Sequence, residues 1–188
     1  MSQLFTQPAL LVLDVQKGFD DLYWGKRNNV QAENNIQTLL TEWRKRDWTI
    51  IYSQHLSLDP QSPLYYKNVN QTEFMDIVSP LPGEMIMQKN VNSAFVGTQL
   101  ESYLKSYQIN SVVITGLSTQ HCVSTTTRMS SNLGFQTFLV SDATAAFEIT
   151  DHTGKRHTPE DIHQFELATL HKEFATILNT NEVITQLS

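Results

Sequence analysis

The sequence predicts an α/β fold in which a doubly wound, mostly parallel sheet lies between two layers of helices, a three-layer α/β/α arrangement with Rossmann-like topology. Two observations support this prediction. Short, strongly apolar segments recur along the chain, as expected of strands that are buried on both faces. Amphipathic segments of helical length separate them, so the strands are joined by right-handed crossovers. We expect residues 1–188 to form a single domain.

The first half of the chain contains three predicted strands. An apolar run over residues 9–14 ends in Asp14, and a second strand is predicted over residues 48–53. The apolar residues between positions 29 and 46 recur with helical spacing, so a helix connects these two strands. Residues 54–84 contain four prolines and are predicted to form loops and short turns, which in such folds often shape a binding site. A short third strand follows over residues 84–88.

The second half continues the same alternation. Thr98 and Glu101 have the spacing of a capping box, which predicts a helix through Tyr107. Thr158 followed by Pro159 predicts the start of another helix. The remaining predictions are a strand over 111–116, a helix over 122–133 ending at Gly134, a strand over 135–140 and a last strand over 175–178.

Composition excludes several classes of function. The chain has 13 Lys and Arg against 19 Asp and Glu, a formal net charge of −6, so nucleic acid and anionic membranes are poor partners. No apolar run is long enough to cross a bilayer, and the N-terminal residues lack the basic segment of a signal peptide, which indicates a cytoplasmic protein. A single cysteine, Cys122, excludes an intrachain disulfide and a multi-thiolate metal site.

Three reactive side chains follow predicted strands. Asp14 ends the first strand, Lys89 follows the third, and Cys122 lies six residues after Gly116 at the start of a helix. Carboxyl ends of parallel strands share one edge of the sheet, where ligands bind in this fold class. A helix start and a nearby ammonium both favour a thiolate, and Asp14 can accept the thiol proton. The pattern therefore predicts a nucleophilic cysteine with a supporting base.

The segments around these residues resemble the isochorismatase-like cysteine hydrolase family, which includes nicotinamidases, N-carbamoylsarcosine amidohydrolases and ureidoacrylate amidohydrolases. The resemblance extends from about Pro8 to Leu178. It is carried by the stretches Leu11-Val12-Leu13-Asp14-Val15-Gln16-Lys17-Gly18-Phe19, Lys89, Asn92-Ser93-Ala94-Phe95, Gly116-Leu117-Ser118-Thr119-Gln120-His121-Cys122-Val123 and Ser141-Asp142-Ala143-Thr144-Ala145-Ala146-Phe147.

The resemblance implies hydrolysis of a carbon–nitrogen bond through a Cys122 thioester. In such a mechanism Asp14 shuttles the proton and Lys89 holds both groups in place. It also implies a cis peptide bond between Leu117 and Ser118, with the N–H groups of Ser118 and Cys122 forming an oxyanion hole. The expected partner is a small-molecule substrate, and the expected assembly is a homo-oligomer, either a dimer or a tetramer.

Two departures from family patterns narrow the function. Metal-binding nicotinamidases carry an Asp-x-His pair after the second strand, whereas this chain has Ser53 before Gln54 and His55, and Gln61 near the place of a further His. We therefore expect no metal and no other cofactor, and nicotinamide becomes a weaker substrate candidate. True isochorismatases do not have cysteine at the nucleophile position, so Cys122 argues against isochorismate.

The candidate substrate-binding residues lie outside the triad, and each has a structural alternative. Phe19 and Phe95 are preferred over the other aromatic residues that follow strand ends, namely Tyr23, Trp24 and Phe147. His55 fits a substrate contact and a structural hydrogen bond equally well. The remaining candidates are Leu117 and His121, the latter as a wall or packing residue.

Two other hypotheses concern the histidines and the function as a whole. His152, His157 and His163 are expected in a solvated segment rather than a metal cluster. A thiol-based redox sensor or binding protein on the same fold is the alternative function. A nucleotide-binding protein is disfavoured because the first strand is not followed by a glycine-rich fingerprint.

Overall fold

The computed structural model describes residues 7–187, and a six-stranded parallel sheet forms its centre. The N-terminal segment interpreted above lies mostly outside the described residues. The sheet order is β3-β2-β1-β4-β5-β8, and β6 and β7 form a separate antiparallel pair. The strands are β1 (Ala9–Leu13), β2 (Ile50–His55), β3 (Met85–Lys89), β4 (Ser111–Leu117), β5 (Gln136–Ala145), β6 (Ile149–Thr150), β7 (Arg156–His157) and β8 (Thr176–Leu178).

Helices connect the parallel strands and cover both faces of the sheet. They are α1 (Ala32–Lys45), α2 (Val69–Thr72), α3 (Leu100–Ser106), α4 (Ser124–Asn132), α5 (Pro159–Leu170) and α6 (Thr180–Gln186). A π-helical turn over Thr119–Val123 leads into α4, and 3-10 turns lie at Lys17–Asp20, Leu22–Trp24 and Asp76–Val78. Across residues 7–187, every helix is too short or too polar to span a bilayer.

The sheet separates two hydrophobic cores. Leu10 and Val12 of β1 face one core, whereas Leu11 and Leu13 face the other. This alternation buries β1 on both faces, as its continuous apolar sequence predicts. The α1 helix packs on the first core through its apolar stripe, and Trp43 also donates its indole N–H to the carbonyl of Pro8 at 2.8 Å. The three-layer α/β/α prediction is confirmed.

Local signals predicted some helix ends and missed others. Thr158 accepts a hydrogen bond from the Asp161 N–H, and Pro159 is the first residue of α5, as predicted. The capping box at Thr98 is wrong, because the Thr98 hydroxyl donates to Ala94 O and accepts from Leu100 N, two residues ahead. The antiparallel pair β6–β7 and the extension of β5 to Ala145 were not predicted.

Candidate active site

The carboxyl edge of the sheet brings Asp14, Lys89 and Cys122 together. Asp14 directly follows β1, Lys89 is the last residue of β3, and Cys122 lies in the π-helical turn after β4. The Lys89 Nζ atom is 2.6 Å from Asp14 Oδ2 and 3.4 Å from Cys122 Sγ. The side chains of Asp14 and Lys89 are both 0% exposed, and Cys122 is 6% exposed. The predicted convergence of these three residues is present in the structure.

Ser53 holds the other oxygen of the Asp14 carboxylate. Its hydroxyl donates to Asp14 Oδ1 at 2.6 Å, and its backbone carbonyl accepts from the Asp14 N–H at 3.0 Å. In the sequence, Ser53 stood out only because it replaces a metal ligand, and its contact with Asp14 was not predicted. The pairing of β1 with β2 places Leu13 beside Ser53, so the Asp14 carboxylate that follows is oriented by the neighbouring strand.

Glycine is required where β4 passes β1. Gly116 has φ +120°, and a Cβ atom there would lie 2.1 Å from the carbonyl oxygen of Leu13. Because Leu13 directly precedes Asp14, this close approach sets the position of the carboxylate relative to the turn that carries Cys122.

Lys89 is a buried ammonium with several acceptors. Besides Asp14 and Cys122 it donates to Val91 O at 3.1 Å, and its Nζ lies 3.2 Å from His55 Nδ1. Burial has the largest single effect and lowers the pKa of Lys89, but Asp14 and Cys122 together outweigh it, so the pKa is raised overall. Burial and the Lys89 charge lower the pKa of His55. Lys89 is therefore charged and His55 is neutral at pH 7.

Burial opposes ionisation of the Cys122 thiol. Burial and the Asp14 carboxylate raise the pKa of the Cys122 thiol, and the opposing effect of Lys89 is smaller. The free protein therefore holds a thiol at neutral pH, and the nearby lysine, which favours a thiolate, is outweighed. The sequence could not reveal how completely the sulfur is enclosed. Asp14 is well placed to receive the thiol proton.

A cavity of about 210 Å³ opens onto Cys122. Of the predicted site residues, Phe19, His55, Ser118 and His121 line it together with the thiol. The Leu117–Ser118 peptide bond is cis. From the sequence, Trp24 ranked below Phe95, and Asn92 was singled out only within a stretch that carries the family resemblance. The lining residues Ser62 and Leu64 were not predicted.

Two predicted substrate contacts lie elsewhere. Phe95 is not among the cavity residues, because it packs in the second core with its ring stacked on Phe135 at a centroid distance of 5.8 Å. Leu117 is fully buried in the first core. Trp24 occupies the aromatic position instead, with its ring 4.9 Å from that of Phe19. In the sequence, Trp24 lies close to Phe19 and Tyr23 after the first strand, and this grouping of aromatic residues could have identified it as a cavity residue.

His163 is buried, which corrects its assignment to a solvated segment. It is 2% exposed, its Nδ1 lies 2.9 Å from the Thr119 hydroxyl, and its Nε2 lies 3.3 Å from the Asn29 side-chain nitrogen. Burial lowers its pKa, so the imidazole is neutral at pH 7. The packing of α5 against the π-helical turn explains this position, since Thr119 begins the turn that carries Cys122.

The donor atoms of the site do not suit a metal ion. Among the described residues, Asp14, His55 and Cys122 offer ligand atoms within 4.8 Å of one another. All three side chains contact Lys89 Nζ, so the protein already supplies a cation at this position. A divalent ion there would be repelled by the ammonium.

Comparison with known proteins identifies the family of this chain. The isochorismatase domain model matches residues 8–182. The isochorismatase family protein YrdC of Bacillus subtilis is 54% identical over 176 residues, covering 94% of each chain. A solved structure from Chromobacterium violaceum, described as a hydrolase of this family, is 36% identical, covers 96% of this chain and 93% of its own, and has a TM-score of 0.92.

A more distant relative is named for a reaction. The ureidoacrylate amidohydrolase RutB of Cronobacter sakazakii is 28% identical over 172 residues, which are 73% of this chain and 74% of the relative. The chain belongs to the isochorismatase family, whose members are usually hydrolases acting on C–N or C–O bonds.

Proposed function

We propose that this protein is a metal-free cysteine hydrolase that cleaves a C–N bond in a small amide, carbamoyl or ureido compound. The observation that carries the proposal is the contact of one buried ammonium with a carboxylate and a thiol, at the wall of a cavity. A relative named as an amidohydrolase supports the choice of a C–N bond.

In the first step, Cys122 Sγ attacks the carbonyl carbon of the substrate as its proton passes to Asp14. The raised pKa of the thiol makes this base necessary, because little thiolate exists before attack. The oxyanion that forms accepts hydrogen bonds from the N–H groups of Ser118 and Cys122. Each such donor typically contributes about 2.7–4 kcal/mol to transition-state stability.

In the second step, the C–N bond breaks and Asp14 returns the proton to the leaving nitrogen. A thioester on Cys122 and free ammonia or amine result. Water then attacks the thioester carbon, and its proton restores the thiol through Asp14 as the acid is released. The sum is one water consumed for each C–N bond broken. Lys89 keeps its charge and holds the carboxylate and sulfur in position.

A redox sensor on the same fold receives less support. Sensor cysteines combine solvent access with a low pKa. Cys122 is 6% exposed, and its pKa is raised.

The test is ammonia release from a panel of small primary amides, ureas and carbamoyl compounds. We expect at least one compound to be hydrolysed, with activity lost in Cys122→Ala while the unfolding midpoint changes little. Absence of hydrolysis across the panel, or equal rates in the two proteins, would overturn the proposal. Rapid reversible oxidation of Cys122 by peroxide without hydrolysis would favour the sensor instead.

A further inference from the structure

The cavity beside Cys122 has one strongly apolar wall. Phe19, Trp24 and Leu64 form it, and Phe147 stacks behind Phe19 at a ring distance of 5.7 Å. The indole N–H of Trp24 donates to Gly18 O at 2.8 Å, so this polar atom is already bonded within the protein. The wall therefore presents hydrocarbon to a bound molecule.

The other lining residues are polar but uncharged. They are Ser62, Asn92, Ser118, His55 and His121. Burial is the main cause of the lowered pKa of both histidines, so both are neutral at pH 7. Asn92 Oδ1 lies 4.0 Å from Cys122 Sγ, close enough to accept a hydrogen bond from an amide bound at the sulfur.

Within residues 7–187, no Arg, Lys, Asp or Glu side chain lines this cavity. The nearby cation, Lys89, has a side chain that is 0% exposed and bonds to Asp14 at 2.6 Å. These two opposite charges balance each other beside the cavity. A carboxylate or ammonium on the substrate would lose its water without gaining a counterion, which costs several kcal/mol per ion. An uncharged group avoids this cost.

We infer that the substrates are electrically neutral: small primary amides or ureides whose acyl side carries a short apolar group. This inference rests on the proposed function and specifies its substrate class. The volume of about 210 Å³ lies below the roughly 300–1,000 Å³ of pockets for drug-sized ligands, so the apolar group is small. The carboxamide lies towards Cys122 and Asn92, and the apolar group lies against Phe19, Trp24 and Leu64.

Alkylation of Cys122 measures charge selection independently of turnover. Iodoacetamide and iodoacetate have similar size and differ in charge, and this chain has one cysteine. The rate ratio of the neutral to the anionic reagent is measured for the protein and for free N-acetylcysteine, at a pH where both reagents react measurably. We expect the ratio to be at least about 10-fold higher in the protein. An equal or lower ratio would overturn the inference.

A cation added to the lining should reverse this selection. In Ser62→Arg we expect the ratio to fall by at least about 10-fold, because the guanidinium pairs with iodoacetate. Gln61→Arg is the matched control, since Gln61 is exposed, adjacent in sequence and outside the cavity lining. Equal ratios in the two variants would contradict the assignment of charge selection to the lining.

Turnover separates this inference from the proposed function. Butyramide and succinamate share a primary amide and a short chain, but only succinamate carries a carboxylate. We expect kcat/KM for butyramide to exceed that for succinamate by at least about 100-fold. Preference for succinamate would overturn the neutral-substrate inference and leave the cysteine hydrolase intact. If neither compound is hydrolysed but Cys122 strongly prefers iodoacetamide, the result counts against the proposed hydrolase. The same result still supports selection of neutral molecules by the cavity.

Discussion

The two ends of the sheet each have a cavity beside an ion pair, and the two pairs differ in burial and in chemistry. The amino-end cavity, of about 410 Å³, is lined by Arg44 and Glu84 among others. It is larger than the carboxyl-end cavity of about 210 Å³, which contains Cys122. The larger cavity is not lined by the cysteine, so size alone does not locate the candidate active site.

The amino-end ion pair is fully engaged in structural bonds. Arg44 binds both Glu84 oxygens, at 2.8 and 2.9 Å, and also contacts Tyr52 Oη and Ser79 O. The Leu81 N–H adds a further bond to Glu84. Burial raises the pKa of Tyr52, so its hydroxyl stays protonated. At the carboxyl end, by contrast, Lys89 shares its ammonium with a thiol. Contact with a nucleophile, rather than the ion pair itself, therefore marks the candidate active site.

Removing each cation gives the sharpest test of this contrast. In Lys89→Met we expect kcat/KM to fall about 1,000-fold or more and stability to fall by about 3–5 kcal/mol, because Asp14 remains buried without its partner. In Arg44→Met we expect a stability loss of about 1–3 kcal/mol with kcat/KM within about 3-fold of the parent. Ammonia release measures kcat/KM, and urea unfolding measures the stability of each variant. Similar activity losses in the two folded variants would contradict the distinction between the Lys89 and Arg44 ion pairs.

A methyl group at Gly116 tests how tightly the carboxyl edge is built. Because the new Cβ would meet Leu13 O at 2.1 Å, we expect Gly116→Ala to lose more than about 3 kcal/mol of stability. Gly134 also has a positive φ but has open space around it, so Gly134→Ala should lose only about 1 kcal/mol. Urea denaturation of both variants measures the difference. Equal losses would show that the close approach to Leu13 does not matter.

Removal of the Ser53 hydroxyl tests the orientation of Asp14. We expect Ser53→Ala to lower kcat/KM about 10-fold and stability by about 1–3 kcal/mol, because one oxygen of a buried carboxylate loses its donor. Ser102→Ala, on the exposed surface of α3, should change neither quantity. Parental activity in Ser53→Ala would show that Lys89 alone orients the carboxylate.

The pH dependence of stability tests the buried state of His163. Its pKa is lowered in the folded protein, so the unfolded chain binds a proton first as pH falls below about 6.5. Stability is therefore full above that pH and is lost on acidification, by up to about 1.4 kcal/mol per pH unit for one group. We expect His163→Asn to reduce this slope between about pH 6.5 and 5. The exposed His152→Asn control should leave it unchanged, and equal slopes in both variants would contradict the assignment.

The sequence predicted the parts of the fold that depend on local pattern. The apolar run before Asp14 and the Thr158-Pro159 start of α5 depend on neighbouring residues, and the structure confirms both. Thr98 also matched a local pattern, but its hydroxyl bonds to Ala94 and Leu100 instead. Both partners are sequence neighbours of Thr98, so the local pattern allows more than one bonding arrangement for this hydroxyl and does not decide between them.

The sequence predicted which reactive residues lie at the carboxyl ends of the strands, but not the surroundings of every side chain there. Asp14 and Lys89 were placed correctly because parallel strands put their carboxyl ends on one edge. Phe95 packs in the second core, and His163 is buried against the turn that carries Cys122; both positions depend on contacts between segments that are distant in sequence. The effect of burial on the pKa of the Cys122 thiol was not predictable, since the residues that enclose the sulfur are distant in sequence.

Intact-protein mass spectrometry after rapid acid quench tests the central claim that Cys122 carries the acyl group. The protein is mixed with butyramide, or with the best substrate from the amide panel, and sampled during turnover. We expect a mass increase equal to one acyl group, mapped to Cys122, and no increase in Cys122→Ala. An acyl group on another residue, or ammonia release at the parental rate in Cys122→Ala, would contradict the account.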